Sequence, residues 1–137
     1  MLSNGSSKIE NWTKIPLPAG PFGFDKNKYN HAAAGDINND GFMDVVVAIT
    51  RDLPYYEGAY IQILFNNGSG ELIDVTESSF SDQPRSATHH GEGNIYLRDM
   101  NLDGSLDIVH STRDYNSGYH GSPVSYTHLT LPTRLLV

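Results

Sequence analysis

A nine-residue pattern occurs twice in this chain and constrains its fold more than any other feature. Asp36-Ile37-Asn38-Asn39-Asp40-Gly41-Phe42-Met43-Asp44 returns as Asp99-Met100-Asn101-Leu102-Asp103-Gly104-Ser105-Leu106-Asp107, an offset of 99 − 36 = 63 residues. Both copies read D-x-N-x-D-G-x-x-D. Five fixed positions, each at about one-in-twenty usage, give a chance match on the order of a few in ten million per window. The similarity extends past the ninth position: Asp44-Val45-Val46-Val47-Ala48-Ile49-Thr50-Arg51-Asp52 parallels Asp107-Ile108-Val109-His110-Ser111-Thr112-Arg113-Asp114, one residue shorter. The unit is therefore a structural module and not a loop alone.

Strand signals surround each copy. Val45 to Ile49 is a β-branched run, and Ala59 to Phe65 is apolar and aromatic with a polar break at Gln62. Asn66-Asn67-Gly68-Ser69-Gly70 supplies the residues of a tight hairpin before Glu71-Leu72-Ile73-Asp74-Val75-Thr76. A strand over Tyr29 to Gly35 completes a set of four, and the pattern restarts at Gly93 to Arg98. No stretch combines sustained helical periodicity with caps at both ends. The reading is an all-β chain whose four-stranded antiparallel units are propeller blades.

The organisation expected is an N-terminal strand and loop segment over 1–28, a first repeat over 29–92, a second over 93–123, and a tail over 124–137 foreign to the pattern. Val124-Ser125-Tyr126-Thr127-His128-Leu129-Thr130-Leu131-Pro132-Thr133 resembles, at all ten positions, the in-frame translation of a transposase adapter used in sequencing libraries, so this segment is set aside as non-native. On that reading the chain is a fragment of about one and a half four-stranded blades. Its unpaired strand edges would be covered by the remaining blades of the parent chain.

Composition narrows the function. With 16 acidic residues against 9 Lys and Arg the formal charge is −7, and no basic run follows a phosphate backbone, which argues against nucleic-acid binding. The apolar runs are far shorter than the roughly 20 residues that span a bilayer. Cysteine is absent, which excludes disulfides and thiol chemistry without identifying a compartment. The first residues carry no signal-peptide pattern.

The repeated loops carry the chemistry. Their odd positions bear oxygen: Asp36, Asn38, Asp40 and Asp44 in the first, Asp99, Asn101, Asp103 and Asp107 in the second, with Phe42 and Ser105 able to add a backbone carbonyl. Calcium takes six to eight such oxygens at about 2.3–2.6 Å. Three carboxylates in one short loop repel one another without a cation, which couples metal binding to local folding. The competing reading is a pair of Asx-rich turns without metal. An EF-hand is excluded, because its twelfth position is a bidentate Glu and here that position is Val47 or His110. Two structural calcium sites are expected, with dissociation constants on the order of 10⁻⁴ to 10⁻³ M, the range of extracellular modules.

These residues resemble the FG-GAP or VCBS-type repeats of integrin α-subunit propellers and many secreted bacterial proteins. His31-Ala32-Ala33-Ala34-Gly35-Asp36 enters the first loop, Phe65 to Gly70 forms the second hairpin, and Asp74-Val75-Thr76 resembles the closing strand. The second unit matches from Asn94 to Thr112. Arg98 replaces the small residue at Gly35, and the insert from Asp52 to Gly58 lengthens one loop. The resemblance implies a parent β-propeller of about seven blades with calcium in rim loops, outside the cell or on its surface. Such propellers act as adhesion or recognition scaffolds for a protein or carbohydrate ligand, and some are enzymes such as polysaccharide lyases.

Other features of the chain have plainer readings. His89-His90-Gly91-Glu92 offers two imidazoles and a carboxylate, but adjacent residues in an extended chain point to opposite faces. His89, His90 and Arg113 are the first residues to test under an enzyme reading. Ser69 lacks the elbow of a serine nucleophile. Tyr55, Tyr56, Tyr60, Tyr115 and Tyr119 lie in or beside corresponding loops, where they either stack on a ligand or pack between blades. Asn4, Asn11 and Asn67 begin N-x-[ST] sequons. The reading adopted is a calcium-stabilised recognition scaffold without catalysis of its own.

Overall fold

The computed structural model describes residues 2–3, 12–23, 25–52, 58–80, 94–111 and 124–127. The described strands are β1 (Leu2–Ser3), β2 (Trp12–Thr13), β3 (Asn27–Gly35), β4 (Asp44–Arg51), β5 (Ala59–Asn66), β6 (Leu72–Asp74), β7 (Ile95–Arg98), β8 (Asp107–Ser111) and β9 (Val124–Thr127), with one helical turn, α1 (Thr76–Ser79), after β6. β1 and β2 pair with each other. β3-β4-β5-β6 form a four-stranded antiparallel meander, and β7-β8-β9 a three-stranded one. The chain is all-β, and the first meander has the form of a propeller blade.

The β-branched run of β4 fills the centre of the first sheet, flanked by β3 and β5. Side chains alternate across a strand, and both faces of β4 are buried. Val46 and Ala48 join Ile61 and Ile63 on one face, while Val47 and Ile49 join Tyr60 and Leu64 on the other. A strand buried on both faces reads as a continuous apolar run rather than an alternating one. The first of these clusters extends to Ile37, Ile95 and Ile108, with Leu97 packed against it. The two sheets therefore share one core through opposite faces of their repeats: the first contributes Val46 and Ala48, whereas Ile108 of the second is the counterpart of Val45, which lies on the other face of β4. The second cluster takes up Phe22, whose ring meets Tyr60 edge-on at 6.3 Å between centroids and lies under the Arg51 guanidinium at 5.1 Å.

Gln62, the polar break in β5, is fully buried. Its Nε2 donates to Asp74 Oδ2 at 2.7 Å and to the carbonyls of Ala19 and Pro18 at 3.3 and 3.4 Å. It ties the segment before β3 to the sheet. The strand expected over 71–76 stops at Asp74. There the Asp74 carboxylate accepts from the Thr76 amide, turning the chain, and Thr76 Oγ1 accepts from Ile63 N at 2.9 Å in place of a further strand residue. β9 lies within the segment set aside on sequence grounds. It pairs with β8 in the register Ile108↔Thr127 to Ser111↔Val124. Its alternation of Val, Ser, Tyr and Thr suits a strand, and backbone pairing is indifferent to where a sequence comes from.

Among the described residues no helix is long and apolar enough to cross a membrane.

Candidate functional site

Each nonapeptide connects two adjacent strands, β3 to β4 in the first sheet and β7 to β8 in the second. The two loops have the same internal wiring. Asp36 receives the Asp40 amide on Oδ1 (3.0 Å) and the Gly41 amide on Oδ2 (2.9 Å). Asp99 receives the Asp103 and Gly104 amides in the same way, at 3.1 and 2.8 Å. Asn38 Oδ1 accepts from Asp40 N, and Asn101 Oδ1 from Asp103 N. Asp40 Oδ1 accepts from Phe42 N, and Asp103 Oδ1 from Ser105 N, both at 2.8 Å. The amide groups of Asn38 and Asn101 donate to the second oxygen of Asp40 and Asp103 at 2.8 and 2.9 Å.

The backbone conforms to the same plan. The fourth and sixth positions are left-handed in both loops, with φ of 58° and 90° at Asn39 and Gly41 and of 61° and 89° at Leu102 and Gly104. Glycine adopts that region without a Cβ penalty, and Asn tolerates it. The sharp turn lets one carboxylate, at the first position, collect two amides from the far side of the loop.

The ninth position has a different role. Asp44 and Asp107 are buried. Asp44 Oδ2 accepts from Ile37 N at 2.9 Å, and Oδ1 accepts from Asn66 N, also at 2.9 Å. One carboxylate thus joins the loop to the start of the hairpin between β5 and β6. Asp107 Oδ2 repeats the first bond, with Met100 N at 2.8 Å. Burial pushes the Asp44 carboxyl above its ordinary 3.8, an effect opposed by the amides of Asn66, Ile37 and Asn38 and reinforced by the nearby Asp40 charge. Phe42 makes a second link to the same hairpin. A Cβ on Gly68 would fall 2.6 Å from its ring, and Gly68 sits at φ 75°, so this position requires glycine on two counts.

As donors these residues fit a hard cation, since every candidate atom is a carboxylate, amide or carbonyl oxygen. Among the described residues, however, no group of three or more acidic or histidine side chains is arranged to hold a metal ion. In the geometry seen, the loops satisfy their carboxylates with their own amides. A carboxylate oxygen carries a second lone pair beside the one an amide uses, so this wiring leaves acceptor capacity on Asp36 and Asp40.

A model of the FG-GAP-like repeat matches residues 36–110, which is 75 of the 137 residues. The chain belongs to the FG-GAP-like repeat family. The matched span begins at the first residue of one loop and ends in the strand after the second, so it covers a full 63-residue period and the return of the motif. No solved structure matches the chain.

Within this FG-GAP-like span, Asp36, Asn38, Asp40 and Asp44 come together around one turn, and Asp99, Asn101, Asp103 and Asp107 around its counterpart. His89, His90, Glu92, Arg113, Tyr55, Tyr56, Tyr115 and Tyr119 lie outside the described residues. Tyr60 is buried in the second cluster, among residues of the first sheet and Phe22. The sequence reading missed the bonding role of Gln62, the Asp44–Asn66 link and the role of His31, whose Nδ1 accepts from Ile95 N at 3.1 Å across the two sheets. No local pattern marks a bond between residues 64 apart in sequence.

Proposed function

We propose that this chain supplies calcium-stiffened propeller repeats to a secreted or cell-surface recognition protein that binds a protein or carbohydrate ligand. Calcium has a structural role, and the repeats have no catalysis of their own. The observation that carries this reading is the pair of loops with matching hydrogen bonds and matching left-handed positions. A loop with three carboxylates, kept in identical form at two points of one chain, is explained by a shared requirement that an ordinary turn does not impose. Asp36, Asn38, Asp40, Asp44 and the Phe42 carbonyl would hold one ion. Asp99, Asn101, Asp103, Asp107 and the Ser105 carbonyl would hold the other. To reach an ion, the Asn38 and Asn101 side chains turn their oxygens, in place of their nitrogens, toward the acidic partner.

The test is calcium titration of the full chain by calorimetry and thermal melting. Saturable binding in the 10⁻⁴ to 10⁻³ M range is expected. At a thirtyfold excess over the dissociation constant, each site adds about 2 kcal/mol of stability. Asp40→Ala together with Asp103→Ala should abolish the shift. Absence of both heat and melting shift at millimolar calcium would leave the loops as metal-free turns. Binding of the folded chain to a panel of glycans and cell-surface proteins, with and without chelator, then tests recognition.

A further inference from the structure

The hairpin between β5 and β6 holds an arrangement separate from the two nonapeptide loops. Asn67 precedes Gly68, is exposed, and its side-chain carbonyl oxygen sits in a nest of three donors. Ser69 Oγ donates at 2.7 Å, Ser69 N at 2.9 Å and Glu71 N at 3.2 Å. Its Nδ2 donates to Glu71 Oε2 at 2.9 Å. The amide of Gly68 donates to Asn66 Oδ1 at 3.0 Å, which fixes the direction of that N–H.

From this geometry we infer that Asn67–Gly68 is a self-modifying site, at which the folded hairpin promotes conversion of Asn67 to aspartate and isoaspartate. The Gly68 N–H leaves Asn66 Oδ1, its proton passes to hydroxide, and the nitrogen bonds to Asn67 Cγ. Negative charge develops on Oδ1, where the three donors already point, as they do in an oxyanion hole. The Cγ–Nδ2 bond then breaks. Nitrogen takes a proton from water and departs as ammonia, its developing positive charge met by the Glu71 carboxylate. Water opens the resulting five-membered imide at either carbonyl. The balance is Asn67 plus water giving aspartate or isoaspartate plus ammonia, and no further reagent is required. Gly68 lacks the side chain that would obstruct ring closure.

The consequence falls on the neighbouring loop. Isoaspartate adds a backbone carbon between Asn66 and Gly68. Asn66 N is held by Asp44, and Gly68 lies against Phe42. Conversion therefore strains both links between this hairpin and the nonapeptide loop, and it sets a new carboxylate beside Glu71. The site acts as a covalent clock on the rim.

Peptide mapping by mass spectrometry, with enzymatic detection of isoaspartate, tests this on the full chain incubated in mildly alkaline buffer, folded and in denaturant. Denaturant removes the nest and keeps the sequence, so the unfolded rate at Asn67 is its own reference. Asn4–Gly5, the same dipeptide elsewhere in the chain, shows that the denatured chemistry is ordinary. Asn67 in the folded chain should convert about tenfold faster than in denaturant, and Ser69→Ala, which removes one exposed donor, should cut the folded rate by roughly three- to tenfold. Conversion in the folded chain at or below the denatured rate overturns the inference. So does a folded rate that Ser69→Ala leaves unchanged.

Discussion

At the scale of single residues, the two loops are a natural substitution experiment. They share their wiring and their backbone angles, but the fourth position is Asn39 in one and Leu102 in the other. Both stand at positive φ, 58° and 61°. A leucine in that region brings its Cβ against the next carbonyl, at a cost of about 1–2 kcal/mol, whereas Asn tolerates it. Leu102 gains nothing in return, for it is 86% exposed. Leu102→Asn should therefore stabilise the chain by about 0.5–1 kcal/mol, measured as a higher denaturation midpoint at unchanged slope. A variant no more stable than the parent would mean that Leu102 has a role beyond the turn. The loops were the most legible part of the sequence because their spacing encodes a backbone path. Gly at the sixth position and Asx at the first, third and fifth leave few other conformations for nine residues to take. The depth of Asp44 was not legible. Nothing in its spacing distinguishes a rim oxygen from a buried carboxylate bridging two amides.

At the scale of elements, strand identity was legible in composition and strand ends were not. β4 and β5 coincide closely with the β-branched and aromatic runs, because continuous apolar sequence of that length has to be buried on both faces. β6 ends early because Asp74 and Thr76 bond to the backbone through their side chains, a competition that pattern alone leaves open. The association of the two sheets was legible only as a repeat. Its specific contacts join residues distant in sequence. A bulge between Tyr29 and His31 shifts the β3–β4 register, and bulges re-aim side chains. Beyond it, the His31 ring meets Tyr96 at 6.4 Å and accepts the Ile95 amide. Ile95 is buried, so its N–H depends on that acceptor. His31→Phe retains an aromatic ring and removes the nitrogen, and the unsatisfied amide should cost about 1–3 kcal/mol. Hydrogen exchange provides the local readout. The Ile95 amide should lose protection in the variant more than the amides of β4 do. Equal loss throughout would indicate that His31 contributes packing and not a bond.

At the scale of the whole molecule, the core shared by the two sheets contains a group that resists acid. His110 pairs with Ile95 in the β7–β8 ladder and is 3% exposed. Among the described residues its Nε2 has no hydrogen-bond partner. Burial disfavours the imidazolium and lowers its pKa from the ordinary 6.5. The folded chain therefore binds fewer protons at this site than the unfolded chain, in the window from 6.5 down to the lowered value. Well above pH 6.5 the imidazole is neutral in both states and adds no pH dependence. As pH falls through the window, stability is lost at up to about 1.4 kcal/mol per pH unit. Because Ile95, Ile108 and Ile37 share one cluster with the centre of the first sheet, charging this histidine loosens the contact between repeats and not only its own strand. His110→Phe fills the site without a titrating group. The stability gap between parent and variant should be flat well above pH 6.5 and should shift in favour of the variant as pH falls through it, when both are unfolded in denaturant across a pH series. The carboxylates of the two loops titrate in parent and variant alike and cancel in that difference. A gap independent of pH would mean that His110 takes up its proton as readily in the folded chain as in the unfolded one, which requires that water reach it. The shared core would then admit solvent at the seam between the two repeats.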